Sequence, residues 1–405
     1  MNELPRKLQP AIAPIEVTRV DVLTGAELAG CRRWRRAFAD ERKDRRYYEI
    51  VEATLSQGFD HRYFALRDAG GEVRAVAPFF VLDQDLCAGM SAGARKVIAA
   101  LRRLWPHFMT ARTLMIGCAA GEGHLDGDDE VPHDAQARLL AASIPAHAAR
   151  LGARLVVFKE FPAKYRGALA GLVAAGYTRV PSYPMTRLDI DYPSFDAYMV
   201  RALSRKTRQD LRVKFRAAAA AAPIALTVVR DIAPLIDDVY PLYLQVFERS
   251  RFRFEKLTRE FLCELGRRMP DKVRYFIWRQ DGRLVAFSLC MVEGDDIYAE
   301  YLGLDYTLAL KLHLYHYAFR DVVSWAMANG YKNFRSSGLN YDPKLHLRAR
   351  LDPIDLYVRH TSPVVNAVLA RMLPVLEPTH ADPILRRFPN YGEVWGRSAD
   401  GVDRV

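Results

Sequence analysis

The sequence predicts an α/β protein made of two tandem domains, each a mixed central sheet flanked by helices. An internal echo is the first reason. From Arg62 the chain reads RYFALRDAGGEVRAVAPFFV, and from Arg274 it reads RYFIWRQDGRLVAFSLCMV. Arg62/Arg274, Tyr63/Tyr275, Phe64/Phe276, Arg67/Arg279 and Gly70/Gly282 are identical pairs. Each copy is an aromatic strand, a polar turn containing glycine and a second apolar strand, the pattern of a β-hairpin. The continuation of each hairpin is the second reason. Both halves go on as strand, helix and strand, which implies helices packed on a sheet.

Each element has its own signal along the chain. The opening, 1–17, is polar and broken by Pro5, Pro10 and Pro14, without the apolar core of a secretion signal. The first hairpin leads to a strand over 113–116 and a loop over 117–123 that holds Gly117, Gly121 and Gly123. An alanine-rich helix over 134–150 and an apolar strand over 155–158 come next. The second hairpin leads to a strand over 297–304, a loop at 305–307, a helix over 308–329 stopped by Gly330, and a strand over 331–336. Between the halves, 201–222 favours helix and Pro223 ends it. That stretch carries Arg201, Arg205, Lys206, Arg208, Arg212, Lys214 and Arg216 against the single acid Asp210. A division just ahead of it gives domains 1–192 and 193–380 and a tail, 381–405. The run 363–376 is apolar and helical, which suits packing against the body or a peripheral contact with a membrane.

Composition narrows the function classes. The chain has 405 residues, of which 50% are apolar and 26% charged, a globular profile with room for two or three domains. No run of eighteen apolar residues occurs, and the expected location is the cytoplasm. Cys31, Cys87, Cys118, Cys263 and Cys290 are scattered, which suggests reduced thiols and argues against a disulfide frame or a zinc site. The net charge of +11 points to an acidic partner, although an alanine- and arginine-rich composition of the whole genome would give the same bias. No DNA-reading motif accompanies it.

The segment Leu203-Ser204-Arg205-Lys206-Thr207-Arg208, followed by Leu211-Arg212, resembles the start of the second domain in Fem-type and cellulose-synthesis-type proteins of the GNAT acyltransferase superfamily. The later hairpin, the strand through Tyr298, the helix ending at Asn329-Gly330-Tyr331 and the loop 341–345 are similar in order. The resemblance covers roughly 191–360, and the first half more faintly. It implies two tandem GNAT-like domains, the first degenerate, and an N-acyltransferase acting on an amine of a small molecule or cell-envelope precursor. The implied donor is a thioester, acyl-CoA first, with no metal. The alternatives are aminoacyl-tRNA as donor, as in Fem-type members, an acyl carrier protein as partner, or a non-catalytic GNAT-like binding module.

One departure concerns the phosphate turn. GNAT enzymes cradle the acyl-CoA pyrophosphate in a glycine-rich loop opening a helix, where small residues let N–H groups approach. The corresponding stretch here, Gly303-Leu304-Asp305-Tyr306-Thr307-Leu308, has one glycine and carries an acid. Leu302, Gly303, Leu304, Tyr306 and Thr307 are the candidate cofactor contacts. The loop 117–123 is richer in glycine, but Glu122 would repel phosphate and an ordinary turn suits it better.

Acyl transfer to an amine needs a proton acceptor, a donor for the oxyanion and a proton for the leaving group. Glu300, on the strand expected to splay beside the reacting carbonyl, is the first candidate base and Asp305 the second. Strand alternation places Glu300 with Tyr298 and Leu302, with Tyr301 opposite. Tyr341 is the candidate proton donor. Lys344 and His346, with Arg348 and Arg350 behind them, suit an anionic substrate. Arg251 and Arg253 alternate with Phe252 and Phe254 in a loop fit to stack on a base or clamp a carboxylate. His313 and His316 share a helix face, but no third metal ligand has a suitable spacing.

Overall fold

The two echoed hairpins form the centres of two sheets. A computed structural model of the chain describes residues 15–85, 99, 100, 102, 103, 110–127, 131–219, 222–250, 253–380 and 382–396. The first half gives β1 (Val17–Leu23), β2 (Asp60–Asp68), β3 (Val73–Asp85), β4 (Thr110–Ile116), β5 (Leu155–Pro162) and β6 (Thr178–Pro181). Then come β7 (Met185–Asp189), β8 (Ile224–Val229), β9 (Val273–Gln280), β10 (Arg283–Glu293) and β11 (Asp296–Leu304). The chain closes its sheets with β12 (Asn333–Ser336), β13 (Arg350–Asp352) and β14 (Ile354–His360). The turn between β9 and β10 is the two-residue Asp281-Gly282, with φ of 49° and 78°, the left-handed geometry that suits a tight hairpin.

The two sheets share one topology, with an exchange. The first runs β1-β2-β3-β4-β5-β14-β6 and the second β8-β9-β10-β11-β12-β7-β13. In each, the strand between the fifth and the last comes from the other half of the chain. The sheets therefore do not follow the expected division at 192/193. β7 lies ahead of that division yet belongs to the second sheet, and β14 returns to the first. Side chains account for both placements. The wholly buried Asp355 of β14 is gripped by Arg166 at 2.6 Å and Arg179 at 3.0 Å, both in the first half. On β7, Thr186 shares a hydroxyl hydrogen bond of 2.8 Å with Ser336 of β12.

Three large cores layer the molecule. The helix His133–Arg150 covers the outer face of the first sheet through Leu140 and Ile144. The helix Leu314–Ala328 does the same for the second through Val322 and Val323. The third core lies between the halves, where Tyr47 and Val51 of the helix Arg45–Thr54 meet Phe261 and Leu265 of the helix Arg259–Arg268. Burial of this size on both sides resembles a domain core more than a surface contact. Residues 382–396 also pack: Leu385, Phe388 and Val394 close a fourth core with Tyr341 and Leu351.

Two expected helices are broken. The stretch 201–222 is divided by an extended Leu203, where Phe195–Ala202 ends and Ser204 caps Arg205–Ala219 through the Thr207 N–H at 3.2 Å. The stretch 308–329 is interrupted by His313, whose φ of 48° is left-handed. A short turn, Tyr306–Ala309, therefore precedes Leu314–Ala328.

Candidate functional site

β11 and β12 run parallel and pair only from Asp296/Asn333 to Ala299/Ser336. Beyond that the strands separate, with Glu300 on one lip and Ser337 on the other. The antiparallel side of β11 is irregular at the same point. Leu289 pairs with Tyr301 and Cys290 with Ala299, so Glu300 is an extra residue, a β-bulge. This corrects the expected alternation. Glu300 reaches the first half, and Tyr301 packs into the core between the halves and donates its hydroxyl to Glu255 at 2.8 Å.

Glu300 is met by the first half of the chain. Its Oε1 accepts from Arg42 Nε at 2.6 Å, and its Oε2 lies 3.3 Å from Lys43 Nζ. The same two cations hold Glu122, Arg42 through Nη1 and Lys43 at 2.9 Å. Arg42 also lies over the Tyr298 ring at 3.8 Å. Arg42 and Lys43 are 2% and 0% exposed, so the pairing takes place away from water. Burial opposes ionisation of Glu122, but Arg42, Lys43 and His124 outweigh it and hold its carboxyl well below the usual range. His124 stands between Glu122 at 3.3 Å and Glu41 at 3.2 Å. Burial works against its charge, and the two carboxylates prevail, so its pKa is raised.

The loop 117–123 is built around these cations. Gly121 has a φ of 127°, and a Cβ there would lie 2.0 Å from Lys43 Nζ. Its carbonyl also accepts from Lys159 at 2.9 Å. The glycines thus let two lysines approach the backbone. Neither Arg42 nor Lys43 stands out in the sequence, where they sit in the charged run 40–46. Glu255 does not stand out either, although it follows the Arg251–Phe254 alternation directly. Burial pushes its carboxyl up despite Lys159 and the Tyr301 hydrogen bond.

The candidate phosphate turn has its donors occupied. Asp305 caps it, accepting from the Thr307 N–H at 3.0 Å and hydroxyl at 2.6 Å, and pairs with Arg283. The Tyr306 N–H donates to Gln245 Oε1 at 3.0 Å, and the Leu308 N–H to the Asp305 carbonyl at 3.0 Å. Gly303 serves close packing, since a Cβ would lie 2.2 Å from the Phe287 ring and 2.8 Å from the Tyr243 nitrogen. Leu302 and Leu304 turn into the outer core of the second sheet.

The remaining candidates divide. Lys344 belongs to the split, because its ammonium donates to the Ser337 carbonyl on the lip opposite Glu300. Burial pulls its pKa down to about 7. Tyr341 is buried and donates its hydroxyl to the Pro184 carbonyl at 2.8 Å, so its proton is already engaged. His346 is exposed and lies against the Asp342 carbonyl at 2.8 Å. Arg253 folds back on the end of the preceding helix, Ile236–Arg249, donating to the carbonyls of Ser250 and Glu248. Arg251 lies outside the described residues. His316 sits 3.3 Å from Lys214, and no group of three or more potential metal ligands occurs among the described residues.

With this geometry in place, comparison with known proteins is informative. Residues 205–344 match the family model of the acetyltransferase (GNAT) domain. A curated relative, the putative 8-amino-7-oxononanoate synthase 2 of Mycobacterium tuberculosis (strain CDC 1551 / Oshkosh), is 25% identical over 377 residues. The match covers 88% of this chain and 48% of the relative, so the chain spans about half the length of the curated relatives it matches. Among solved structures, L-PGS from Bacillus licheniformis superposes with a TM-score of 0.50 at 13% identity, covering 80% of this chain and 94% of that one. The C-terminal domain of a putative lysylphosphatidylglycerol synthetase from Agrobacterium fabrum has a TM-score of 0.49 at 12% identity, covering 81% and 94%. The split strands, the bulge at Glu300 and the matched segment coincide in the second half, so residues 205–344 carry the GNAT acetyltransferase domain within a chain of two like-ordered mixed sheets.

Proposed function

We propose that the chain transfers an acyl group from an activated donor, acyl-CoA in the first reading, to the amine of a small molecule or cell-envelope precursor. The observation that supports this reading is the split between β11 and β12 inside the matched segment, with Glu300 bulged onto one lip and Lys344 held at the other. An acyl carbonyl laid in the split would face both a carboxylate and an amine. Glu300 takes the proton of the attacking amine, directly or through water, while Arg42 and Lys43 fix where its oxygens lie. Glu255, reached through the Tyr301 hydroxyl and made more basic by burial, is the second carboxylate available for that proton. Asp305 and Tyr341 have structural partners and take no part in the step.

One observation favours a second reading, with aminoacyl-tRNA as donor. The turn 303–308 has its N–H groups satisfied from within and carries Asp305, which leaves a pyrophosphate little to bind. The helix Arg205–Ala219 meanwhile exposes Arg205, Lys206, Arg212 and Arg216, a basic surface suited to nucleic-acid phosphates.

Titration calorimetry with CoA and acetyl-CoA at low and high salt separates the donors. Saturable binding that salt barely weakens supports the thioester. No heat with either compound, together with tRNA binding that falls steeply with salt, replaces it with the second reading. Once a donor is found, Glu300→Gln is expected to lower kcat by between about 10²- and 10⁴-fold. An unchanged kcat removes Glu300 from the reaction.

A further inference from the structure

The helix Pro363–Leu376 displays its apolar side to solvent. None of its residues is buried. Eleven large apolar side chains are exposed among the described residues, and six lie on this helix: Val364, Val365, Val368, Met372, Val375 and Leu376. Their exposures run from 41% to 75%. At about 100° per residue these six fall within an arc of about 120°, a continuous stripe about 20 Å long. The opposite side holds the helix to the body. Asn366 donates to the Gly176 carbonyl at 2.9 Å and accepts from the His360 N–H at 2.8 Å, and Leu373 packs on the central core. Gly176 follows the short helix Ala170–Ala174, whose Val173 is itself 50% exposed.

Exposed charge along the helix has one sign, because the acids at its two ends, Asp355 and Glu377, are 0% and 5% exposed. Residues 356–376 contain Arg359, His360 and Arg371 and no acid. On the same wheel Arg371 falls at the edge of the stripe. At the other end, Arg154 gives its carbonyl to the Thr361 N–H at 2.9 Å, which places a further arginine beside the helix start. None of Arg154, Arg359 and Arg371 is ion-paired among the described residues, although most arginines elsewhere in the fold have an acid. A soluble face of this composition is unfavourable in water, and contiguous exposed patches mark contact sites. A second copy bound through the same face would set arginine against arginine. An anionic lipid surface satisfies both features, receiving the apolar stripe at the headgroup boundary and neutralising the rim.

We infer that the Pro363–Leu376 face docks the protein on anionic membranes, as a peripheral contact lying in the plane of the interface. This inference is independent of the acyl donor. The test is co-sedimentation of the full chain with vesicles of phosphatidylcholine alone and of equal parts phosphatidylcholine and phosphatidylglycerol, at low and high salt. Binding is expected to the mixed vesicles, weakly or not at all to phosphatidylcholine, and to weaken at high salt. Val368→Glu combined with Met372→Glu should abolish it while the melting temperature and circular dichroism stay nearly unchanged, since both side chains are about half exposed and belong to no core. Arg154→Gln should weaken it by roughly fivefold, the share of one basic residue near the surface. Absence of binding to mixed vesicles overturns the inference, as does binding that the double variant retains. Concentration-dependent dimerisation lost in the same variant, without vesicle binding, overturns it in favour of a second copy.

Discussion

Replacing Lys344 with methionine should stabilise the protein near neutral pH, and the gain should disappear in alkali. Lys344 is buried with the Ser337 carbonyl as its partner, and burial pulls its pKa from 10.5 to about 7. In the unfolded chain the amine keeps its ordinary value. Between about pH 7 and 10.5 the unfolded state therefore binds the extra proton. Stability rises with pH across this window by about 1.4 kcal/mol per unit. Above the window both states are neutral and the penalty is gone; below it both are charged and the penalty stays constant. At pH 7 the accumulated cost is about 4 kcal/mol, and loss of the Ser337 hydrogen bond returns about 1 kcal/mol of it. Lys344→Met should thus gain about 3 kcal/mol at pH 7 and lose about 1 kcal/mol near pH 10.5. Urea unfolding of both proteins at several pH values reads the difference directly. A difference that is flat across the window, or a less stable methionine variant at pH 7, refutes the reasoning.

Two further substitutions probe the site. Arg42→Met leaves Glu122 and Glu300 facing one another with Lys43 alone between them, and should cost about 3–5 kcal/mol, measured by denaturant unfolding; a loss under about 1 kcal/mol would show that the buried cluster is not maintaining the contact between halves. Asp305→Ala removes a helix cap and should cost about 1 kcal/mol with kcat nearly unchanged. A collapse of kcat at full stability would instead return Asp305 to the chemistry.

The fold was legible where its signals are local. The echo at Arg62 and Arg274 marked β2–β3 and β9–β10 because hairpins depend on neighbouring residues and a short turn. The strand exchange was not legible. β7 and β14 are short strands whose sheet is decided by partners distant in sequence, as Asp355 is by Arg166 and Arg179. The helix break at His313 leaves no trace because nothing between Leu308 and Leu314 is a glycine or proline. At the site, the strand bearing Glu300 is legible, but alternation sets Tyr301 on the wrong side because one inserted residue in a strand leaves no mark in its composition. Arg42 and Lys43 read as an ordinary solvated charge run. Their burial depends on a carboxylate 258 positions away, a coupling that a single sequence does not reveal.

The exchanged strands have a consequence for biosynthesis. The first sheet needs β14 between β5 and β6, and β14 leaves the ribosome only after every strand of the second sheet has been made. At typical translation speeds that is a wait of roughly ten to thirty seconds. Through that interval the nascent first half has an open slot lined by the main-chain groups of β5 and β6, a natural place for chaperones to act and for neighbouring chains to intrude. Neither half carries all the strands of its own sheet, and a truncation ahead of Arg350 would remove strands from both sheets rather than one.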